Sequence, residues 1–210
     1  MNKNYQKAYS VCSSDEERAF VNNGWWNASH DLIIRSNMHR DDIPNLVRCS
    51  RLIWRRKIHH FFELLERSSI PLLIYSAGIT DIINEAIRQL LGRVPSNIAI
   101  AANVMCFNED GYVYGFTNPP LHSLCKNITR LRELIPGVDQ KYAKRTNVLV
   151  IGDTDSDASM VDGWKGKCVL KVGLEAEEKP TLKRFDVVIK GSDCSRLIDV
   201  VRFILSPQQL

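Results

Sequence analysis

No apolar stretch in this chain approaches the roughly 20 residues that carry a helix across a bilayer. The opening MNKNYQKAYS is polar and lacks the apolar core of a secretory signal. No two of the six cysteines (Cys12, Cys49, Cys106, Cys125, Cys168 and Cys194) stand at CxxC spacing, which argues against the common zinc motifs. Without a signal or a cysteine framework, the expected compartment is the reducing cytoplasm. Cys106 and Cys168 lie in apolar runs and are expected to be ordinary buried thiols. There is no low-complexity segment, and only Ser206 to Leu210 read as a loose tail. A concentrated basic stripe is also lacking. The net charge is +4, and the densest basic run, Arg51 to His60, is interleaved with Leu52, Ile53, Trp54 and Ile58, so it reads as a solvated helix face. Neither nucleic acid nor a membrane is an expected partner, whereas a small anion is compatible with the charge.

What is present is an alternation of helical and strand-like runs. The first forty residues are polar and helix-like, with Ser13-Ser14-Asp15-Glu16-Glu17 as a cap and acidic first turn. From Asp41 to Leu65 apolar residues recur at helical spacing, with Pro44 in the first turn and Ser68-Ser69 as the stop. Ile70 to Tyr75 is a buried strand running into Ser76-Ala77-Gly78, and Thr80 to Leu91 is a helix. Ile98 to Phe107 and Tyr112 to Phe116 flank a Glu109-Asp110-Gly111 turn and read as a hairpin. A helix around Ile128, Leu131 and Leu134 precedes the strand Val148 to Ile151. Two further strands, Cys168 to Val172 and Asp186 to Ile189, lead to a last helix from Cys194 to Leu205, with Leu197, Ile198, Val201, Ile204 and Leu205 inward. The alternation predicts an α/β fold with a doubly wound parallel sheet, in which ligands bind beyond the carboxyl ends of the strands.

Two strand-end turns could carry chemistry. At Ser76-Ala77-Gly78 a hydroxyl and free backbone N–H groups can bind phosphate, although a plain strand-to-helix turn reads the same way. In VLVIGDTDSD, the strand delivers Asp153 to its end, with Asp155 and Asp157 close behind. Three crowded carboxylates repel one another unless a cation sits among them, and Mg2+ suits such a place. The alternative, Asp153 or Asp155 as a helix N-cap, accounts for one aspartate rather than three. Lys126 lies between the two turns and could neutralise a phosphate.

Together IPLLIYSAGITDIINEAIRQ, NVMCFNEDGYVYGF, NVLVIGDTDSDASMVDG and CVLKVG resemble the haloacid-dehalogenase phosphatases, and more narrowly the cytosolic pyrimidine 5'-nucleotidases, including the 7-methylguanosine-phosphate-specific enzymes. The resemblance runs from about Trp25 to Leu205. It implies a Mg2+-dependent hydrolase of nucleoside 5'-monophosphates (UMP, CMP or 7-methyl-GMP), working as a monomer. It also implies a partial helical cap over residues 1–38 and a Rossmann-like core over 39–210. By resemblance Ser76 and Ala77 hold the phosphate, Lys126 balances its charge, Asp153 binds the metal, and Asp157 orients the lysine or the metal's waters. Ser29 falls where the cap approaches the base, and Trp25 and Trp26 lie in the corresponding stretch, where they either stack on a base or pack within the cap.

The departures from the family pattern concern its first motif, a strand ending in Asp-x-Asp-x-Thr whose first aspartate is the nucleophile. Asp15, Asp31, Asp41 and Asp42 follow no strand, and Asp193 follows one alone. Tyr5 to Cys12 offers no acidic residue to match the family's cap glutamate, and a family glycine is replaced near Lys57. The expectation is that the chain begins within the cap and lacks the nucleophile, so that it turns over little substrate alone. The strand bearing that motif belongs between those ending at Ser76 and Asp153. Without it, another segment fills the slot, the sheet opens, or the chain is a truncated product or gene model. The alternative functions are a non-catalytic nucleotide- or phosphate-binding or interaction protein, and an isoform or fragment of a complete enzyme.

Overall fold

The structure is a computed structural model describing residues 3–175 and 182–206. Helices α1 (Lys3–Ser10) and α2 (Asp15–Arg35) occupy the polar start. Ser14 caps α2: its Oγ accepts from the Glu17 N–H (3.1 Å), and the Glu17 carboxylate returns to the N–H groups of Ser13 (2.7 Å) and Ser14 (3.3 Å). That reciprocal box satisfies donors that the first helical turn leaves over.

The amphipathic stretch from Asp41 to Leu65 does not form one helix. It divides into α3 (Ile43–Cys49) and α4 (Ile58–Arg67), with a non-helical stretch over 50–57 between them. The cause is non-local. The Arg56 N–H donates to Ser192 O (2.9 Å), and Arg56 O accepts from the Cys194 N–H (2.9 Å), so this stretch pairs with the distant 192–194 loop. Arg55 turns inward to the carbonyls of Gly191 and Leu174, so part of the basic run is structural rather than a solvated helix face. Lys57 sits at φ 63°, and Ile53 is 90% exposed, not inward as helical spacing predicts.

Strand β1 (Leu72–Ile79) absorbs the Ser76-Ala77-Gly78 turn and leads directly into α5 (Thr80–Leu91). β2 (Ile98–Asn103) lies parallel to β1, with Leu72 opposite Ile98 and Tyr75 opposite Ala101. β3 (Met105–Phe107) and β4 (Val113–Phe116) form an antiparallel hairpin, but the run Ile98 to Phe107 is not one strand: it breaks at Val104, and its first part is the β2 that pairs with β1. After α6 (Ile128–Leu134) and the short α7 (Val138–Lys141) come β5 (Asn147–Gly152), β6 (Cys168–Glu175) and β7 (Val187–Lys190), parallel throughout, and then α8 (Ser195–Leu205).

The parallel strands form two pieces, β2-β1 and β5-β6-β7, and among the described residues no strand hydrogen-bonds to the second edge of β1 or of β5. The two pieces nevertheless share a core. Leu72 of β1 and Leu149 and Ile151 of β5 pack against one cluster built on Phe61, Leu65, Val172, Leu197, Ile198 and Val201. At the start of both strands, Arg145 donates to Ser69 O (3.0 Å). The sheet is therefore open between β1 and β5, one of the outcomes weighed above. Leu72, Leu73, Ile74, Val148, Leu149 and Ile151 remain only half-buried, where apolar side chains inside a sheet covered on both faces would be buried.

Two smaller expectations fail. Ile204 and Leu205 are 50% and 42% exposed, because the last turn of α8 runs past the core. Cys168 is exposed at the start of β6 and Cys106 is half-buried, while Cys194, at the N-cap of α8, is the buried thiol. Most of the tail, residues 207–210, lies outside the described residues.

Candidate functional site

Both candidate turns lie at the carboxyl ends of parallel strands that flank the opening. In the first, Ser76 Oγ accepts from the Gly78 N–H (3.0 Å), which leaves the hydroxyl proton available to donate. Two long-range links hold this turn against the loop that carries Lys126. On one side the Tyr75 hydroxyl donates to Asn127 O (3.1 Å). On the other, Asn103 bonds to Ala77, Gly78 and Leu121. Burial pushes the Tyr75 hydroxyl up to about 12, against the opposing bond to Asn127, so it stays a neutral donor.

Lys126 follows a turn of 3-10 helix (Ser123–Cys125) and is 8% exposed. Its Nζ pairs with Asp157 Oδ1. Asp157 Oδ2 accepts from the N–H groups of Asp153 and Thr154 (3.1 Å each) and from Thr154 Oγ1 (3.0 Å). Burial pushes the Asp157 carboxyl up, but the bond and charge of Lys126, with the Asp153 amide and Thr154, outweigh it and hold the group below its ordinary value. Close approach explains the glycine before Asp153: a Cβ on Gly152 would stand 2.3 Å from Asp157 Cβ.

The three aspartates are thus not gathered around one point. Asp157 serves Lys126 and its own turn. Asp155 Oδ1 accepts from the N–H groups of Lys183 (2.9 Å) and Arg184 (3.1 Å). Thr154, rather than Asp153 or Asp155, stands at the N-cap of the 3-10 helix that follows (Asp155–Val161). Among the described residues no group of three or more His, Cys, Asp or Glu side chains is placed to hold a metal. Asp193, which follows β7, accepts from the Ser195 N–H at the start of α8 (2.6 Å) and faces Arg56 (3.6 Å).

Ser29 lies in α2 and donates to Trp25 O (2.8 Å), one turn back. Trp25 and Trp26 meet edge to face at 4.7 Å, and the chain of rings continues through His30, stacked on Phe116 at 3.9 Å. Residues 38–40 are stitched to the hairpin, with the Val113 N–H donating to Met38 O and the Arg40 N–H to Gly111 O (2.9 Å each). Sequence reading missed Asn103 and Thr154. The T-x-x-D spacing of Thr154 and Asp157 is a readable capping pattern, but nothing local marks Asn103.

The fold is that of the haloacid-dehalogenase enzymes. A crystal structure of cytosolic 5'-nucleotidase IIIB bound to cytidine superposes with a TM-score of 0.75 at 24% identity, covering 98% of this chain and 72% of that one. Apo phosphoserine phosphatase gives 0.56 at 16% identity, covering 93% and 88%. In sequence, the human 7-methylguanosine phosphate-specific 5'-nucleotidase is 34% identical over 187 residues, or 86% of this chain and 60% of that protein. The Caenorhabditis elegans putative cytosolic 5'-nucleotidase 3 is 33% identical over 182 residues, or 87% and 45%. The chain thus spans 60% of the human relative and 45% of the nematode one. Residues 5–207 match the pyrimidine 5'-nucleotidase (UMPH-1) family along nearly the whole sequence, and the chain belongs to that family.

Proposed function

We propose that this chain forms the phosphate-receiving side of a 5'-nucleotidase site and binds nucleoside 5'-monophosphates in the cytoplasm, with a pyrimidine or 7-methylguanine base. The observation that carries the reading is the buried Lys126–Asp157 pair, held next to the turn of Ser76. Burying two charges is costly and is seldom favoured for stability alone. Here Ser76 and Ala77 would bind the phosphate and Lys126 would balance its charge, while Asp157 orients Lys126. Ser29 and the aromatic run of α2, within a cap of residues 1–38, lie on the side of the base. Mg2+ takes one or two carboxylates together with water and phosphate oxygens. Asp153 fits as one such ligand, and a bound ion would offset phosphate charge there.

Hydrolysis in this family pattern needs an attacking carboxylate. Among the described residues, Asp81, Asp153 and Asp193 come first after the parallel strands β1, β5 and β7: Asp81 accepts from the Met105 N–H (3.2 Å), Asp153 is the metal candidate, and Asp193 accepts from the Ser195 N–H. The open edge between β1 and β5 agrees with an absent strand. Binding without efficient cleavage is therefore the reading for this chain alone, and a complete enzyme would add the nucleophile from outside these residues. Calorimetry and a phosphate-release assay with UMP, CMP and 7-methyl-GMP in Mg2+ test it. The expected result is binding of at least one nucleotide with negligible release. Rapid Mg2+-dependent release overturns the claim of a missing nucleophile, and no binding of any of the three overturns the reading as a whole.

A further inference from the structure

We infer that Asn103 is the positioning residue of this site, tying the turn of Ser76 to the loop of Lys126 so that the two sides of the phosphate cradle are set by one side chain. The inference rests on the phosphate-binding reading above and adds to it a residue to which the family resemblance assigned no role.

Asn103 ends β2 and is 1% exposed. Its Nδ2 donates to Ala77 O (2.9 Å), Gly78 O (3.1 Å) and Leu121 O (3.0 Å). Its Oδ1 accepts from the Leu121 N–H (2.7 Å). An amide nitrogen has two hydrogens, so three carbonyls share them and one bond is bifurcated. Every polar atom of the side chain is used, and none of its partners lies in β2. They are the two residues after Ser76 and a residue of the loop leading to Lys126.

The geometry also sets Ser76. In a trans peptide the C=O and the following N–H point in opposite directions. By drawing the Ala77 carbonyl to itself, Asn103 aims the Gly78 N–H the other way, and that N–H is the donor to Ser76 Oγ (3.0 Å). With its lone pair so occupied, the Ser76 hydroxyl is oriented to donate. On the other arm, Asn103 grips both the N–H and the C=O of Leu121, a two-point hold that fixes the path of the chain towards His122 and Lys126. Three close substitutes do not suit the position. Asp would set carboxylate oxygens against three carbonyls, Leu would take away the buried bonds to the N–H and C=O of Leu121, and Gln would be a methylene too long beside Ala101 and Ala102, each 2% exposed.

The test compares the whole chain with Asn103→Asp, Asn103→Leu and Leu197→Ala, the last a buried residue of the distant core chosen to lower the thermal midpoint comparably. Hydrogen–deuterium exchange followed by mass spectrometry reads the linkage without any ligand. In the Asn103 variants, peptides over 72–79 and over 118–127 should exchange at least tenfold faster together, with 168–175 unchanged. Inorganic phosphate, titrated by NMR, should bind the Asn103 variants at least tenfold more weakly, and Leu197→Ala as tightly as the parent. Faster exchange in only one of the two segments overturns the inference. So does an equal loss of phosphate affinity in Leu197→Ala, or parental affinity in both Asn103 variants. If the parent chain itself binds no phosphate, the phosphate-site reading falls and the positioning role falls with it. The exchange data then show separately whether Asn103 couples the two segments.

Discussion

The two strand-end turns of the site are built by opposite means. The turn after β5 is closed by its own sequence: Asp157 reaches back to the amides of Asp153 and Thr154, and Gly152 leaves room for it. The turn within the end of β1 has one side-chain bond of its own, Gly78 to Ser76, and takes further fixings from Asn103 and Asn127, far along the chain. A locally closed turn tolerates changes elsewhere and fails when its own residues change. A remotely held turn does the reverse. Lys126 belongs to both systems, since its loop is gripped by Asn103 and its charge by Asp157.

The largest effect should come from breaking the local turn at its hub. Asp157→Ala strands Lys126 without its partner and frees two amides, and should cost about 3–5 kcal/mol in urea unfolding, the range for a broken buried pair. Lys126→Met should cost less, because Asp157 keeps its N–H donors. Next is Gly152→Ala, which forces a Cβ against Asp157. A loss of about 1–3 kcal/mol is expected, with faster amide exchange at 153–157 and little change at 76–78.

The pH response sharpens the same contrast. The folded-state pKa of Asp157 lies below its ordinary value. The folded chain therefore holds this proton less readily than the unfolded chain does. The contribution to stability is complete above the ordinary carboxylate range, near pH ~4, and is lost as pH falls through the depressed folded value. Between about pH 5 and pH 2 the urea midpoint of the parent should fall more steeply than that of Asp157→Asn. The smallest effect should be Lys57→Gly, at a left-handed position remote from both turns. Relief of the left-handed backbone penalty, about 1 kcal/mol, is opposed by loss of the bond from Lys57 Nζ to Ser195 Oγ (2.6 Å), so the net change should stay below about 1 kcal/mol and exchange at both turns should be unaltered.

The same division explains how much could be read in advance. The turn after β5 was legible because an apolar strand, a glycine and closely spaced aspartates are neighbours in sequence. The pairing of Asp157 with Lys126 came from family resemblance, and the structure brings those two residues together. The separate duties of Asp155 and Asp157 were not legible: carboxylates near one another in sequence suggested a shared cation, yet Asp155 turns to amides in the 182–184 loop. Helical periodicity from Ile43 to Leu65 was genuine at both ends and misleading between them, because residues 192–194 offer the chain near Arg56 a backbone partner that periodicity cannot register. Asn103 carried no local signal, since its importance lies in carbonyls 18 and 25–26 residues away. The opening between β1 and β5 was one of several alternatives drawn from the family's strand order rather than from any property of the strands themselves.

That opening has a consequence for handling the molecule. Two parallel strands present rows of backbone donors and acceptors to the same gap, with half-buried leucines and isoleucines beside them. Such rows are a template for any extended chain. The colloidal behaviour of the protein should therefore be governed by main-chain adhesion at this seam more than by its net charge of +4. Added salt, which screens charge, would do little to keep concentrated solutions clear, whereas a short peptide occupying the seam would do a great deal.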